Sequence, residues 1–315
     1  MQPGEKAAVI VNPRSAHGRT ARKWPMIQRA IESTLDNVTF FHTERRYHAT
    51  KLVQQALWQG FTRIISVGGD GTHFEVTNGF FEGASPINPD AVMAILPYGT
   101  GSDLARTLHI PRGLKALPYL TSDHTVAADV GRITYTDLNG QEGMSYFLNT
   151  CHIGVGGEVV DRVNRNTKAY GGFMSYFWHT IMALMSYKDK YMKIRIDDIE
   201  IEQTVKELII AKGQYDGGGM HVAPYARLDN GLFDIYIISP VSLRFALLNL
   251  HRLYRGRLND MPEIVQYFRG KEVFVESPEI VKINTDGEMP GILPSTVQVV
   301  PGAIKVVTGW NGLSG

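Results

Sequence analysis

The 315-residue sequence contains one cysteine, Cys151. One thiol cannot build an internal disulfide framework, and so little cysteine suits a reducing, cytoplasmic compartment. A lone cysteine of this kind reads as a small buried hydrophobe. No stretch reaches the roughly 18 consecutive apolar residues that a membrane span needs. No apolar run follows charges at the start of the chain, as it would in a signal peptide. Charge of one sign is missing too: 32 Lys and Arg against 31 Asp and Glu leave a net +1. No overall field then draws the chain to nucleic acid or to an anionic membrane, although a local basic patch is compatible with that balance. Internal repeats and low-complexity linkers are absent. So are the Gly-x4-Gly-Lys-Ser/Thr phosphate loop, the GxGxxG fingerprint and the protein-kinase loop set, so the chain is neither a P-loop enzyme nor a protein-kinase-like fold. What remains is an ordinary globular composition, 43% hydrophobic and 20% charged. The length exceeds what one core commonly serves, so two domains are expected.

Two glycine-rich turns organise the first part. Ile64 to Val67 is short, apolar and β-branched, and reads as a buried strand. Gly68-Gly69-Asp70-Gly71-Thr72 follows, then a short helix from His73 to Phe81. Glycines at a strand-to-helix turn allow positive φ and close approach of a ligand. The helix start offers unpaired amides and a positive dipole end, which suits phosphate. Asp70 would repel bare phosphate, so it is expected to hold a cation or orient a hydroxyl or water. The second turn, Pro97 to Asp103, follows the apolar run Ala91 to Leu96 and precedes a helix-like stretch from Asp103 to Leu108. Residues 7–11 and 38–41 read as further strands, with helices over 20–35 and 49–59. Strand-helix alternation of this kind implies a parallel sheet with right-handed crossovers. Both glycine turns would then meet at the carboxyl edge of the strands, where such sheets bind ligands. Asn12, Arg14, His17 and Arg19 lie in the first loop, and Thr43 just past the second strand reaches the same edge. For Arg14 and Arg19, solvated surface charge and phosphate contact are both open.

After Thr121 the pattern changes to short strands and turns, which suggests an antiparallel sandwich. A hairpin turn is expected at Asp137 to Gly140, and strands at 126–133, 144–149, 194–196, 199–201, 208–211 and 233–238. Two helical stretches interrupt it. Phe173 to Tyr187 is almost wholly apolar, either core or a greasy cleft for an acyl chain. Leu243 to Tyr254 carries Arg244 and Arg252 and is followed by Arg255 and Arg257. It is either a surface for anionic headgroups or a solvated amphipathic helix. Asp286-Gly287-Glu288 follows a strand over 281–284 and, on composition alone, is an exposed acidic turn.

These stretches together resemble the diacylglycerol kinase catalytic-domain family, and within it the bacterial soluble lipid kinases. The matching residues are Val11-Asn12-Pro13 with Gly18, Thr43, His48-Ala49, Gly68 to Thr72 with Glu75-Val76 and Asn78-Gly79, Gly99-Thr100-Gly101 with Asp103 to Arg106, and Asp286 to Glu288. They occur in family order over nearly the whole chain. The resemblance implies an α/β, Rossmann-like N-terminal domain with a parallel sheet over 1–124, to which 300–315 returns, and a β-rich antiparallel sandwich over 125–300. It implies an ATP-dependent lipid kinase with Mg2+, acting in a cleft between the domains on a diacylglycerol-like hydroxyl.

For the residues, the resemblance implies nucleotide contacts from Asn12, Thr43, Gly68, Gly69, Asp70, Gly71, Thr72, Glu75, Gly99, Thr100 and Asp103. Asp286 would be the base, with Glu288 sharing that role or holding metal, and Asp70 would take part in catalysis. A structural metal turn is implied at Asn230, with backbone carbonyls of Arg227 and Leu232. Three positions depart from the family: Asn230 replaces a usual aspartate, Ser102 an asparagine, and His73 an apolar residue. The expected partner is a lipid at a membrane surface, met by peripheral contact, with no nucleic acid. Oligomeric state is left open, a homodimer included. Two rivals remain: an NAD kinase-like phosphotransferase, and a non-catalytic nucleotide- or lipid-binding regulator.

Overall fold

A computed structural model of the protein describes residues 6–166 and 181–309, with 164–166 described in backbone alone. The helix expected over 173–187 lies largely outside the described residues, which include only its end, helical over 181–186. The chain forms two compact units, Met1–Val130 with Pro301–Gly315, and Gly131–Val300. The division falls inside a strand, a place that no change of composition marks.

The first part of the chain comprises β1 (Ala7–Val11), α1 (Ser15–Glu32), β2 (Val38–His42), α2 (His48–Trp58), β3 (Arg63–Gly68), α3 (Asp70–Gly79), a small hairpin of β4 (Phe81–Glu82) and β5 (Ser85–Pro86), β6 (Val92–Pro97), α4 (Asp103–Thr107) and α5 (Leu117–Leu120). The second comprises β7 (Thr125–Thr136), β8 (Glu142–Phe147), β9 (Thr150–Gly154), α6 (Val155–Asn166), β10 (Lys190–Ile196), β11 (Ile199–Val205), β12 (Glu207–Ala211), β13 (Phe233–Ile238), α7 (Leu243–Tyr254), β14 (Val265–Gly270), β15 (Glu272–Glu276), β16 (Ile283–Thr285) and β17 (Ile292–Val307).

In the first unit β6, β3, β1 and β2 pair in parallel, in that order. The end of β17 supplies a fifth parallel strand, with Lys305 opposite Val92 and Val306 opposite Met93. Every residue of β1 and β3 is buried, which is why these strands read as continuous apolar runs rather than as alternation. One helix start agrees with expectation and one differs. α1 begins at Ser15, but Ala16, His17 and Gly18 all have positive φ, so regular helix starts only beyond them. α3 begins at Asp70: the glycine-rich turn is itself the first turn of the helix.

The second unit is a sandwich. One sheet runs β14–β13–β12–β9–β16, antiparallel throughout; the other includes β11–β10–β15–β17 with β7 and β8. Met192, Ile194 and Ile196 alternate with exposed residues along β10, so one face of that strand enters the core. β12 is buried on both faces: Leu208 and Ile210 join the core between the sheets, while Ile209 and Ala211 join a second cluster with Val222, Leu258 and Met261. Cys151 lies in the inter-sheet core, fully buried. An N-terminal α/β unit with a parallel sheet and a β-rich antiparallel sandwich are what the sequence implied.

Phe147 anchors that core. It is fully buried, its ring 6.0 Å from that of Phe233. It lies across Gly131, its partner in register on β7, where any Cβ would come within 2.1 Å of the ring. Phe147→Ala should therefore cost about 3–5 kcal/mol, measured as a lowered urea midpoint of the purified chain.

Candidate functional site

In the first unit the two glycine turns are locked together through Asp70. Its Oδ2 accepts the Ser102 N–H at 2.7 Å, and its Oδ1 accepts those of Asp103 at 2.8 Å and Leu104 at 3.3 Å. A residue in the first turn of α3 thus caps the start of α4, where a carboxylate meets orphan amides and the positive dipole end. The carboxylate expected to hold a cation or orient a hydroxyl is thus engaged at both oxygens by backbone donors. The loops also touch directly. A Cβ on Gly99 would sit 2.3 Å from Gly69 Cα, and one on Gly101 would sit 2.6 Å from Asp70 Oδ2. Glycine is required at both places by close approach. Gly68 lends its carbonyl to the Tyr98 N–H at 2.7 Å.

Other side chains hold the carbonyls of the second loop. Arg112 Nη2 donates to Gly99 O at 2.6 Å and to Thr100 O at 3.2 Å; Arg106 donates to Gly101 O and to Asp103 Oδ1. With the carbonyls so engaged, the amides of Gly71, Thr100 and Gly101 have no acceptor among the described residues. Asn12 Nδ2 donates to the buried Thr72 Oγ1 at 3.0 Å, tying the first loop to the glycine turn. Thr43 is buried at the end of β2, its N–H on Val11 O. Arg14, His17 and Arg19 lie at the surface, none of them buried.

Glu75 requires a correction. Its two oxygens accept the N–H groups of Tyr47 at 2.8 Å and Ala49 at 3.0 Å, so it caps α2. His48 also acts locally, its Nδ1 accepting from the Glu44 N–H. His73 is buried beside Ser66, whose hydroxyl lies 2.7 Å from its Nδ1. Burial lowers its pKa to about 4 against the pull of Asp70, so it stands in the core as a neutral ring. Ser102 holds φ +60°, a left-handed conformation that asparagine adopts more readily than serine.

In the second unit Asp286 occupies the turn after β16 with φ +48°. Its carboxylate accepts three backbone N–H groups from the β8–β9 junction: Leu148 at 3.0 Å, Asn149 at 3.1 Å and Thr150 at 2.8 Å. Burial pushes its pKa up to about 7, the three amides pull it down, and Asp216 adds a further upward push. Thr150 links the two acids, since its hydroxyl donates to Asp216 Oδ1 at 3.3 Å. Glu288 closes the turn through its backbone, exchanging hydrogen bonds with Thr285.

Beside this pair is a cluster that no sequence motif announced. His152 is buried with Nδ1 3.0 Å from Glu207 Oε1 and Nε2 3.3 Å from Asp216 Oδ2. Burial opposes its charge, but Asp216 and Glu207 outweigh that and push its pKa up to about 9. The three groups come from β9, β12 and the loop after β12, with His152 and Glu207 55 residues apart, so no local spacing could have signalled them. They form the charged end of a cavity of about 210 Å³ whose other walls are mostly apolar, among them Ile181, Leu184, Phe245 and Leu253.

The implied metal turn does not fit a metal. Lys212, fully buried, donates from Nζ to Asn230 Oδ1 at 3.0 Å and to Leu232 O at 2.9 Å. Two of the three oxygens expected to ligate an ion are thus filled by a lysine head group. Arg227 turns to Asp229, with Nε 3.0 Å from Oδ1. Among the described residues no group of three or more His, Cys, Asp or Glu side chains could hold a metal ion.

A parallel sheet with amide-lined glycine turns and a sandwich carrying a high-pKa acid beside an apolar cavity are the parts of a phosphotransferase. The sequence model described as "Diacylglycerol kinase catalytic domain" matches residues 6–133, and that of the "YegS C-terminal NAD kinase beta sandwich-like domain" matches 149–308. The chain belongs to this lipid kinase family, and it is an enzyme of the kinase class. It is 27% identical over 305 residues to the diacylglycerol kinase of Staphylococcus carnosus, covering 96% of this chain and 95% of that one. It is 27% identical over 293 residues to the diacylglycerol kinase of Bacillus subtilis, covering 92% of each. A crystal structure of a diacylglycerol kinase from Bacillus anthracis shares its fold at a TM-score of 0.73 and 23% identity, over 98% of both chains. Yeast NADH kinase shares the fold more distantly, at a TM-score of 0.52 and 13% identity over 99% of this chain and 85% of that one.

Asp70→Asn would turn one acceptor into a donor facing an amide. It should cost about 1–3 kcal/mol and weaken ATP binding, read by urea titration and calorimetry. Lys212 gives a second test. The melting temperature of the wild type should not respond to EDTA, Mg2+ or Ca2+, whereas Lys212→Met with Asn230→Asp should create a site whose melting temperature rises with Ca2+.

Proposed function

We propose that the chain transfers the γ-phosphate of ATP to the hydroxyl of a diacylglycerol-like lipid. The observation that carries this reading is Asp286: a carboxyl with a pKa near 7, joined through Thr150 and Asp216 to the charged end of an apolar cavity. A cavity with apolar walls and one polar end suits an acyl chain that ends in polar ester or hydroxyl groups. The amides of Gly71, Thr100 and Gly101 would hold phosphate oxygens, as helix starts and glycine turns do. Gly68, Gly69 and Gly99 would keep the backbone close enough for that, with Asn12, Thr72, Thr43 and Asp103 shaping the same edge.

In the reaction the lipid oxygen attacks the γ-phosphorus as the bond to the bridging oxygen breaks, and ADP leaves. Asp286, as carboxylate, takes the hydroxyl proton. With Asp70 committed to amides, Mg2+ would come to the protein on the nucleotide phosphates. No helix among the described residues is long and apolar enough to cross a membrane, and the lipid would be met at the bilayer surface.

The test is transfer of labelled phosphate from ATP to a panel of lipids in mixed micelles, with NAD offered alongside. A phosphorylated lipid supports the reading, and labelled NADP moves the protein to the dinucleotide kinases. No transfer with nucleotide still bound makes it a regulator. Asp286→Asn should lower kcat at least about a hundredfold while leaving ATP binding intact. In the wild type the base must be ionised, so kcat should fall about tenfold per pH unit below pH 7 and level off above it.

A further inference from the structure

The apolar cavity of the second unit is walled in part by two helical elements that also face outward. α7 sends Phe245, Leu250 and Leu253 into the cavity, and residues 181–186 send in Ile181 and Leu184. On their outer sides the same elements leave large apolar side chains in solvent: Leu248 is 76% exposed and Met185 63%, with Met182 also exposed. Isolated exposed apolar residues need no explanation, but a group of them does.

Charge on α7 says what the group meets. Arg244, Leu248, His251 and Arg255 are spaced by four, three and four residues, so they share one helical face. That stripe is about 16 Å long, with arginines at its ends and a leucine between them. Arg244 and Arg255 are exposed and have no acidic partner among the described residues. The neighbouring arginines differ: Arg257 pairs with Asp260, and Arg252 donates to Asp260 O. A helix with free guanidinium groups flanking an exposed leucine matches an interface in which phosphates lie beside acyl chains.

We propose that the outer face of α7, with Met182 and Met185 beside the same cavity, seats this protein on a bilayer of anionic lipids. Resting on the reading of the substrate as a lipid, this places the docking surface on the very helix that walls the cavity. A lipid leaving the bilayer would pass along apolar side chains of that helix rather than through water.

The test is cosedimentation of the full chain with vesicles of phosphatidylcholine alone or mixed with phosphatidylglycerol. The wild type should bind only the anionic vesicles, less so as salt is raised. Leu248→Ser, and separately Arg244→Glu with Arg255→Glu, should each weaken that binding about tenfold. None of these residues lines the cavity, so phosphorylation of lipid dispersed in detergent should be unchanged. Wild-type binding that is absent, or equal in the variants, overturns the proposal. So does a dimer in analytical ultracentrifugation that Leu248→Ser dissociates with no change in vesicle binding. Anionic-vesicle binding lost in the variants, with no lipid phosphorylated by the wild type, would support the docking surface and remove the lipid-acceptor reading instead.

Discussion

The first unit depends on one carboxylate meeting three amides. Asp70 opens α3 and caps α4, so the two glycine turns cannot move apart without leaving three backbone donors and a charge unpaired. The same contact explains why glycine stands at positions 69, 99 and 101: each brings backbone to backbone, or backbone to carboxylate, at distances no Cβ allows. Arg106 and Arg112 complete the arrangement from the carbonyl side. What is left are the amides of Gly71, Thr100 and Gly101, with no acceptor among the described residues.

A similar use of backbone donors recurs in the sandwich with a different result. Asp286 also accepts three amides, which by themselves would favour its ionised form. Burial and the nearby Asp216 outweigh them and leave a carboxyl poised near neutrality. His152, charged between Glu207 and Asp216, offsets part of the negative charge gathered there. Two aspartates with the same kind of amide partners thus sit in unlike surroundings, Asp70 at the start of a helix and Asp286 beside a second acid.

Much of this was legible in the sequence where chemistry is local. The buried strands β1, β3 and β6, the glycine turns and the change to a β-rich half all follow from runs, breaks and spacing. The acidic turn at Asp286 was visible too, although composition alone made it an ordinary exposed turn, and only the family resemblance gave it a role. The roles assigned to Asp70 and Glu75 were less legible. Asp70 lies in the glycine motif and Glu75 just after it, yet both carboxylates accept from helix-start amides 26 to 34 residues away.

By itself, then, the sequence determined the two-part organisation, the parallel sheet with its glycine turns, and the departures at His73, Ser102 and Asn230. Periodicity and glycine placement are short-range properties, and a chain carries them on its face. Tertiary structure alone decided what each polar group is used for. Lys212 reaches Asn230 from 18 residues away, and His152 meets Glu207 from 55. Partners of that kind are chosen by strand order and register, and a buried donor or acceptor takes whatever partner the fold brings to it.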